Sequence, residues 1–383
     1  MIPYGRQDIQ QSDVDAVVKV LTSDYLTQGP QVPAFEAAVT AHVGASHGVA
    51  MNSATSALHV ACLALGLGAG DLLWTSPITF VASANCALYC GAEVNFVDID
   101  PVSFNMDPEA LARKLEQADA AGRLPKVVVP VAMCGQSCDM AAIRALADPY
   151  GFKILEDASH AIGARYKGAF MGNGAYADIT IFSFHPVKII TTAEGGLAVT
   201  NDPILAQKMD YLRSHGVTRN PDLMEGDSHG PWYYQQIALG YNYRMTELQA
   251  ALGVAQMARL DAYVTARAAR AAAYDAALAD LPLDLPTQHP DTASSWHLYV
   301  IRLQDPRRHR AVFEALRGDG LGVNLHYIPV HTQPYYKALG FAEGDFPKAE
   351  AYYARAISIP LYATMSDAQQ DEVIATLRKH LAP

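Results

Sequence analysis

From Val32 to about Arg213 the chain sets out short apolar runs that do not alternate with polar residues, separated by stretches of helical pattern. The runs are Val49-Ala50-Met51, Leu72-Leu73-Trp74-Thr75, Glu93 to Val97, Lys126 to Val131, Lys153-Ile154-Leu155, Ile179 to Phe184 and Gly196 to Thr200. A strand with one wet face alternates, whereas a run apolar throughout is covered on both faces. The intervening helical stretches, among them Ser56 to Leu67 and Phe80 to Tyr89, supply the crossovers that parallel neighbours need. The pattern therefore predicts an α/β fold with a mainly parallel sheet between helical layers.

The rest of the chain is arranged around that unit. Residues 1–30 read as an extended arm and one helix, Gln11 to Thr22, closed by the turn signal Gly29-Pro30. The large unit runs over 31–245. Leu248, Leu252, Ala255 and Leu260 recur at helical spacing and predict one long connecting helix, Thr246 to Leu278, within a segment 246–281 that Pro282 and Pro286 end. A smaller α/β unit, 282–383, then carries a strand at His297 to Leu303, a helix at Arg307 to Gly318, a strand at Val323 to Tyr327 and a closing helix at Asp367 to Leu381. A chain of 383 residues suits such a two-domain plan.

Composition narrows the class. Half of the residues are hydrophobic and 17% are charged, as in a packed globular enzyme. The net charge of −11 argues against nucleic acid as a partner, because no basic excess is available to displace counterions. Met1 to Asp8 lacks a charged-then-apolar leader pattern, and the longest apolar run, Ala57 to Leu67, is interrupted by His59. That run falls well short of the ~20 residues a membrane span requires, so a cytoplasmic protein without a membrane partner is expected. Five cysteines, Cys62, Cys86, Cys90, Cys134 and Cys138, read as reduced thiols. Their C-x3-C spacing departs from the C-x2-C pairs and histidine partners of zinc sites, and no metal is expected.

Three segments carry chemistry. Phe182-Ser183-Phe184-His185-Pro186-Val187-Lys188 places a lysine just past a buried strand. Desolvation there lowers the pKa of an amine and frees it to attack an aldehyde, although an arbitrary lysine more often snorkels to the surface. Ser183 lies at the same strand end, within reach of a phosphate oxygen. Ile154-Leu155-Glu156-Asp157-Ala158-Ser159-His160 places a carboxylate at the crevice edge where α/β sheets bind ligands. Such an aspartate suits a protonated pyridine nitrogen, which turns the ring into an electron sink; a plain helix cap is the other account. His160 either meets the ring or is a satisfied structural histidine.

The third segment, Met51-Asn52-Ser53-Ala54-Thr55-Ser56, is a strand followed by small polar residues and a helix start. Backbone N–H groups and the helix dipole make this turn an anion site, here for a phosphate, and Ser or Thr capping is compatible with it. Phe80, after the next strand, can stack on a flat ring or simply fill the core. Competing signatures are missing: no G-x-G-x-x-G follows the first strand, and there is neither a Walker A lysine nor a G-x-S-x-G elbow.

Asp157-Ala158-Ser159-His160-Ala161, the Ser183-to-Lys188 segment with its Thr192-Ala193-Glu194-Gly195-Gly196 tail, and Gly240-Tyr241-Asn242-Tyr243-Arg244-Met245-Thr246 resemble the DegT/DnrJ/EryC1/StrS family of nucleotide-sugar aminotransferases. The likeness runs along essentially the whole chain with the motifs in the family's order. Asn52 to Leu58 and His185 to Gly196 are most similar to the 4-aminotransferases of pseudaminic acid biosynthesis.

The resemblance implies the type I aminotransferase fold, pyridoxal 5'-phosphate as cofactor, and a homodimer with shared active sites. It implies Lys188 as the Schiff-base lysine and Asp157 as the pyridinium partner. Ala54, Thr55 and Ser183 would bind the cofactor phosphate or the neighbouring substrate, and Asn242 would reach the phosphate from the other subunit. Sugar-nucleotide contacts would come from Tyr4, from Asp24, Tyr25, Leu26 and Thr27, and from Leu325, His326, Tyr327 and Ile328. The implied reaction moves an amino group from L-glutamate to C4 of a UDP-linked 4-keto-6-deoxy-N-acetylhexosamine, giving UDP-4-amino-4,6-dideoxy-N-acetyl-β-L-altrosamine. Many relatives have Gln where this chain has His160, so the resemblance leaves that residue's role open. Neighbouring activities of the perosamine or bacillosamine type are the alternative, and a non-catalytic regulator on the same fold is a third. Lys188 argues against the dehydratase relatives, which carry histidine there.

Overall fold

A computed structural model describes residues 1–381. Its central sheet has seven strands, numbered here in chain order: β1 His47–Met51, β2 Leu72–Thr75, β3 Glu93–Phe96, β4 Val127–Val129, β5 Lys153–Asp157, β6 Ile179–Ser183 and β7 Gly196–Thr200. They lie side by side in the order β1-β7-β6-β5-β4-β2-β3. Val127, Val128 and Val129, like Ile179 and Ile181, are wholly buried, as runs without alternation require. Helices Ala82–Tyr89, Pro108–Ala120 and Met140–Tyr150 make the crossovers between β2, β3, β4 and β5. The chain moves outward from β2 to β3 and then back through β4, β5 and β6. The C-terminal ends of β2 and β4 therefore flank the point where strand order reverses.

β7 departs from the parallel rule, running antiparallel to both β1 and β6. The segment from Phe184 to Gly195 contains no helix, so it turns back beside β6 instead of crossing over. Apolar content marks a strand as buried and says nothing of its direction. This returning loop is the one that carries Lys188.

Two expected elements differ from those observed. The long helix over Thr246 to Leu278 is two helices, Glu247–Met257 and Leu260–Leu278, broken at Ala258 and Arg259. At the break the Arg259 guanidinium turns to the buried Asp13, with Nη2 2.6 Å from Oδ2, and Arg259 Nε donates to the Tyr263 hydroxyl at 2.8 Å. The N-terminal helix Gln11–Leu21 is held against the Glu247–Met257 helix by this pair and by Gln256 Nε2, 2.9 Å from Asp13 Oδ2. Nor is Val323 to Tyr327 a strand. Leu321–Gly322 pairs with Ile2–Pro3, Asn324 makes a single bridge to Ser358, and the chain then leaves the ladder. Asn324 Oδ1 takes the N–H of Leu325 at 2.8 Å, a local bond that competes with pairing.

The smaller sheet consists of Leu283–Asp284, Tyr299–Leu303 and Ala356–Ile359, all antiparallel. Helices His309–Gly318 and Asp367–Leu381 cover it over a core that includes Tyr274, Tyr299, Leu316 and Leu377. Arg267, fully buried on the Leu260–Leu278 helix, donates to the carbonyls of Trp296, His297 and Leu361 at 3.2, 3.3 and 3.0 Å. It thereby fixes the approach to the strand that begins beside His297.

Candidate active site

The ends of β2, β4, β5 and β6 open into a cavity of about 440 Å³. Lys188, five residues past the end of β6, lines it with a half-buried side chain. Burial lowers its pKa to about 8, and the negative charge of Asp157 acts in the opposite sense. Asp157 ends β5 in register with Ile181 of β6, so neighbouring strands deliver the two groups to one space. The Asp157 carboxylate is 5% exposed and both its oxygens are bonded. Oδ1 accepts from the Ser159 N–H at 3.0 Å, and Oδ2 accepts from the Ser83 hydroxyl at 2.6 Å.

A second corner is built by the turn after β1. Ser53 caps the helix Ala54–Ala64 through Ser56 N–H, 3.1 Å away, and Ser56 Oγ donates to Asn52 Oδ1 at 2.6 Å. The first N–H groups of a helix have no partner within it and carry its positive end, so Ala54 and Thr55 present an anion seat. Gly196 is paired in register with both Met51 and Ser183, which brings the Ser183 hydroxyl next to that seat. A Cβ on Gly196 would stand 2.4 Å from Ala54 N. Only glycine lets β7 press this closely on the turn.

Aromatic and imidazole rings form the remaining wall. His160 Nε2 lies 3.1 Å from the Tyr327 hydroxyl, and the His160 and His297 rings are 4.3 Å apart. Burial, followed by the charge of Lys188, holds His160 well below the usual imidazole range, so it is neutral. Nδ1 of His160 and Nδ1 of His297 are buried without a protein partner. His326 is pushed down to about 3 by burial and by Lys188, and its Nδ1 meets Ser358 Oγ at 2.8 Å. Tyr4 packs on His326 with ring centres 5.1 Å apart. Phe80 is 58% exposed at the mouth, 6.2 Å from the Tyr327 ring.

Tyr4, Ala54, Thr55, Phe80, Asp157, His160, Ser183, Lys188, His326 and Tyr327 thus share one cavity. Asp24, Tyr25, Leu26, Thr27, Asn242, Leu325 and Ile328 do not line it. Asn242 bridges Ser214, Thr27 bridges Thr246, and the Leu26 carbonyl accepts from Glu247 N–H at 3.1 Å. The Asp24–Thr27 segment thus meets the Asn242 loop at Thr246, and that loop also pairs with the start of the turn after β1, where the Asn52 N–H donates to the Tyr243 carbonyl at 2.8 Å. Thr79, Ser83, Ser159, His185, Glu194 and His297 line the cavity without having been singled out. Ser159, His185 and Glu194 lie inside the quoted segments without having been given a role, and Ser83 lies one helical turn after Phe80.

The donor set suits a flat, phosphorylated aromatic aldehyde. Lys188 offers an amine, Asp157 a buried anion for a protonated ring nitrogen, the Ser53–Thr55 turn and Ser183 a phosphate seat, and His160 an unpaired buried nitrogen. Fold and site define a pyridoxal-phosphate-dependent aminotransferase. The chain belongs to the DegT/DnrJ/EryC1/StrS aminotransferase family, whose model matches residues 7–378.

Over 383 residues it is 41% identical to the spore coat polysaccharide biosynthesis protein SpsC of Bacillus subtilis (strain 168), covering 98% of this chain and 96% of that one. Among solved structures it is similar to Helicobacter pylori PseC, an aminotransferase involved in the biosynthesis of pseudoaminic acid. That match has 31% identity and a TM-score of 0.90 and covers 99% of both chains. It is also similar to the putative sugar aminotransferase Spr1654 of Streptococcus pneumoniae in its PMP form, with 30% identity, a TM-score of 0.90 and coverage of 99% of both chains. The protein is a sugar aminotransferase that uses pyridoxal 5'-phosphate. No helix among the described residues is long and apolar enough to cross a membrane.

Proposed function

We propose that this enzyme transfers the amino group of L-glutamate to C4 of a UDP-linked 4-keto-6-deoxy-N-acetylhexosamine. The product would be UDP-4-amino-4,6-dideoxy-N-acetyl-β-L-altrosamine, an intermediate of pseudaminic acid biosynthesis. The observation that carries the chemistry is the meeting of Lys188, its pKa lowered to about 8, with the buried Asp157 in one cavity. The likeness to PseC supports the sugar.

Pyridoxal phosphate supplies an electron-withdrawing ring that stores the amino group between the two half-reactions. The chain's own residues do the rest. Ala54, Thr55 and Ser183 would hold the phosphate, and Asp157 would keep the ring nitrogen protonated. Lys188 would hold the cofactor aldehyde through its Nζ, and the same amine, when free, would take the α-proton of glutamate as general base. The same nitrogen returns a proton in the second half-reaction, and ping-pong kinetics follow. The neutral rings of His160, His297 and His326 line the wall around Lys188 without adding positive charge that would oppose its protonation. Tyr4, His326 and Tyr327 lie where the sugar enters. Asn242 of the partner subunit completes the phosphate seat in a homodimer, with the Asp24–Thr27 segment beside it.

A neighbouring activity, on a related 4-keto sugar nucleotide, is the second reading. It is favoured by the 41% identity to a spore coat polysaccharide protein, above that to PseC. Mass spectrometry separates the two after incubation with ¹⁵N-glutamate and purified 4-keto nucleotide sugars. A ¹⁵N-labelled amino product from the altrosamine-series ketone supports the proposal. A product from another 4-keto sugar alone moves the assignment to that sugar.

A further inference from the structure

We infer that Ser83 is a positioning residue for Asp157, fixing the orientation of the carboxylate that meets the ring nitrogen. The inference rests on the reading of Asp157 as the partner of that nitrogen. Thr79 Oγ1 lies 2.7 Å from Ser83 Oγ, which lies 2.6 Å from Asp157 Oδ2. Thr79, Ser83 and Asp157 are 2%, 1% and 5% exposed, so water does not compete for these bonds. Donor counting sets their direction. An ionised carboxylate only accepts, and a serine hydroxyl has one proton, so Ser83 donates to Asp157 and accepts from Thr79. The Phe80 carbonyl, 3.4 Å from Ser83 Oγ, is too distant to win that proton.

With Ser159 N–H on Oδ1, both oxygens of Asp157 are then held by neutral donors. Neutral donors favour the anion without cancelling its charge, and two of them remove its freedom to rotate. The adjacent Glu156, 4% exposed, takes one hydroxyl bond from Thr180 at 2.9 Å, and burial pushes it up to about 7. Ser83 belongs to the helix Ala82–Tyr89, so that helix, and not only β5, sets the geometry at the ring.

The test is ¹⁵N NMR of holoenzyme reconstituted with ring-¹⁵N pyridoxal phosphate, whose shift reports protonation of the ring nitrogen, read beside steady-state kinetics. Ser83→Ala should move the signal toward the unprotonated position and lower kcat about 10-fold, as loss of a hydrogen bond to a charged group does, with little change in KM. Ser83→Thr, which keeps the hydroxyl, should restore both. If the alanine variant does not fold, Ser83→Cys, with a weaker donor of similar size, should give a smaller displacement in the same direction. A wild-type signal in Ser83→Ala or Ser83→Cys, with Asp157→Asn displaced, overturns the role of Ser83 and leaves that of Asp157 standing. A wild-type signal in all variants overturns both.

Discussion

The hydroxyl of Tyr327 stands 3.1 Å from Nε2 of His160, joining the irregular segment after Leu321–Gly322 to the loop that follows Asp157. Nδ1 of the same imidazole has no protein partner. Tyr327→Phe therefore leaves both ring nitrogens buried and unpaired, a cost of about 1–3 kcal/mol. Thermal unfolding of the apoenzyme should show a lower Tm, and turnover should fall with it. A variant with wild-type Tm and kcat would mean that the pairing contributes nothing.

Asp157→Asn keeps the shape of the side chain but removes the charge proposed to hold the ring nitrogen protonated. Turnover should drop by roughly 100-fold or more, the scale of a lost preorganised electrostatic contact. Cofactor occupancy, read from the visible absorption of the purified protein, should change far less. Equal turnover in the two proteins would reduce Asp157 to a structural cap.

Glu156 gives a prediction for pH. Burial and then the charge of Asp157 raise its folded-state pKa to about 7, with Thr180 opposing. An unfolded glutamate titrates near 4.3, so between about 4.3 and 7 the folded chain holds more protons than the unfolded one. Stability contributed by this site therefore falls as pH rises through that window, and the full penalty is in place above about 7. Glu156→Gln retains an acceptor for Thr180 and cannot ionise. It should unfold at a higher temperature than wild type at pH 8, by an amount worth up to a few kcal/mol, and show little difference at pH 4. A difference that does not depend on pH would contradict the assignment.

The extent to which this fold is legible in the sequence follows from how local each signal is. Leu72–Thr75 and Gly196–Thr200 are strands with the expected bounds because their apolar runs are complete in themselves. The direction of β7 was not legible, since it depends on what the Phe184–Gly195 segment does. The break at Arg259 depends on Asp13, far away in the chain, and the irregular course after Asn324 depends on a side chain that competes for the backbone. The site divides in the same way. Lys188, Asp157, Ser183 and Thr55 sit at strand ends or a helix start, where position alone suggests chemistry. Ser83 and His297 acquire their roles only through contact with Asp157 and His160, which no single segment reveals.

The shared site of the proposed homodimer is open to complementation. Within one chain Asn242 bridges Ser214 and does not line the cavity that holds Lys188. Lys188→Ala and Asn242→Ala proteins, each inactive, are mixed under conditions that exchange subunits. If Asn242 serves the partner's site, each hybrid dimer has one site with both defects and one with neither, and activity returns. Should Asn242→Ala alone retain activity, the double change Asn242→Ala with Arg244→Ala takes its place. A silent mixture after proven exchange contradicts the shared site.

The central claim is that Lys188 holds the cofactor and passes the proton. Borohydride reduction of the holoenzyme, followed by proteolysis and peptide mass spectrometry, tests it most directly. The account predicts that the yellow colour is lost and that the reduced phosphopyridoxyl group is found on the peptide containing Lys188. It also predicts that Lys188→Ala, folded and reconstituted with cofactor, takes no label and transfers no amino group. A label on any other lysine, or transamination by Lys188→Ala at the wild-type rate, would contradict it.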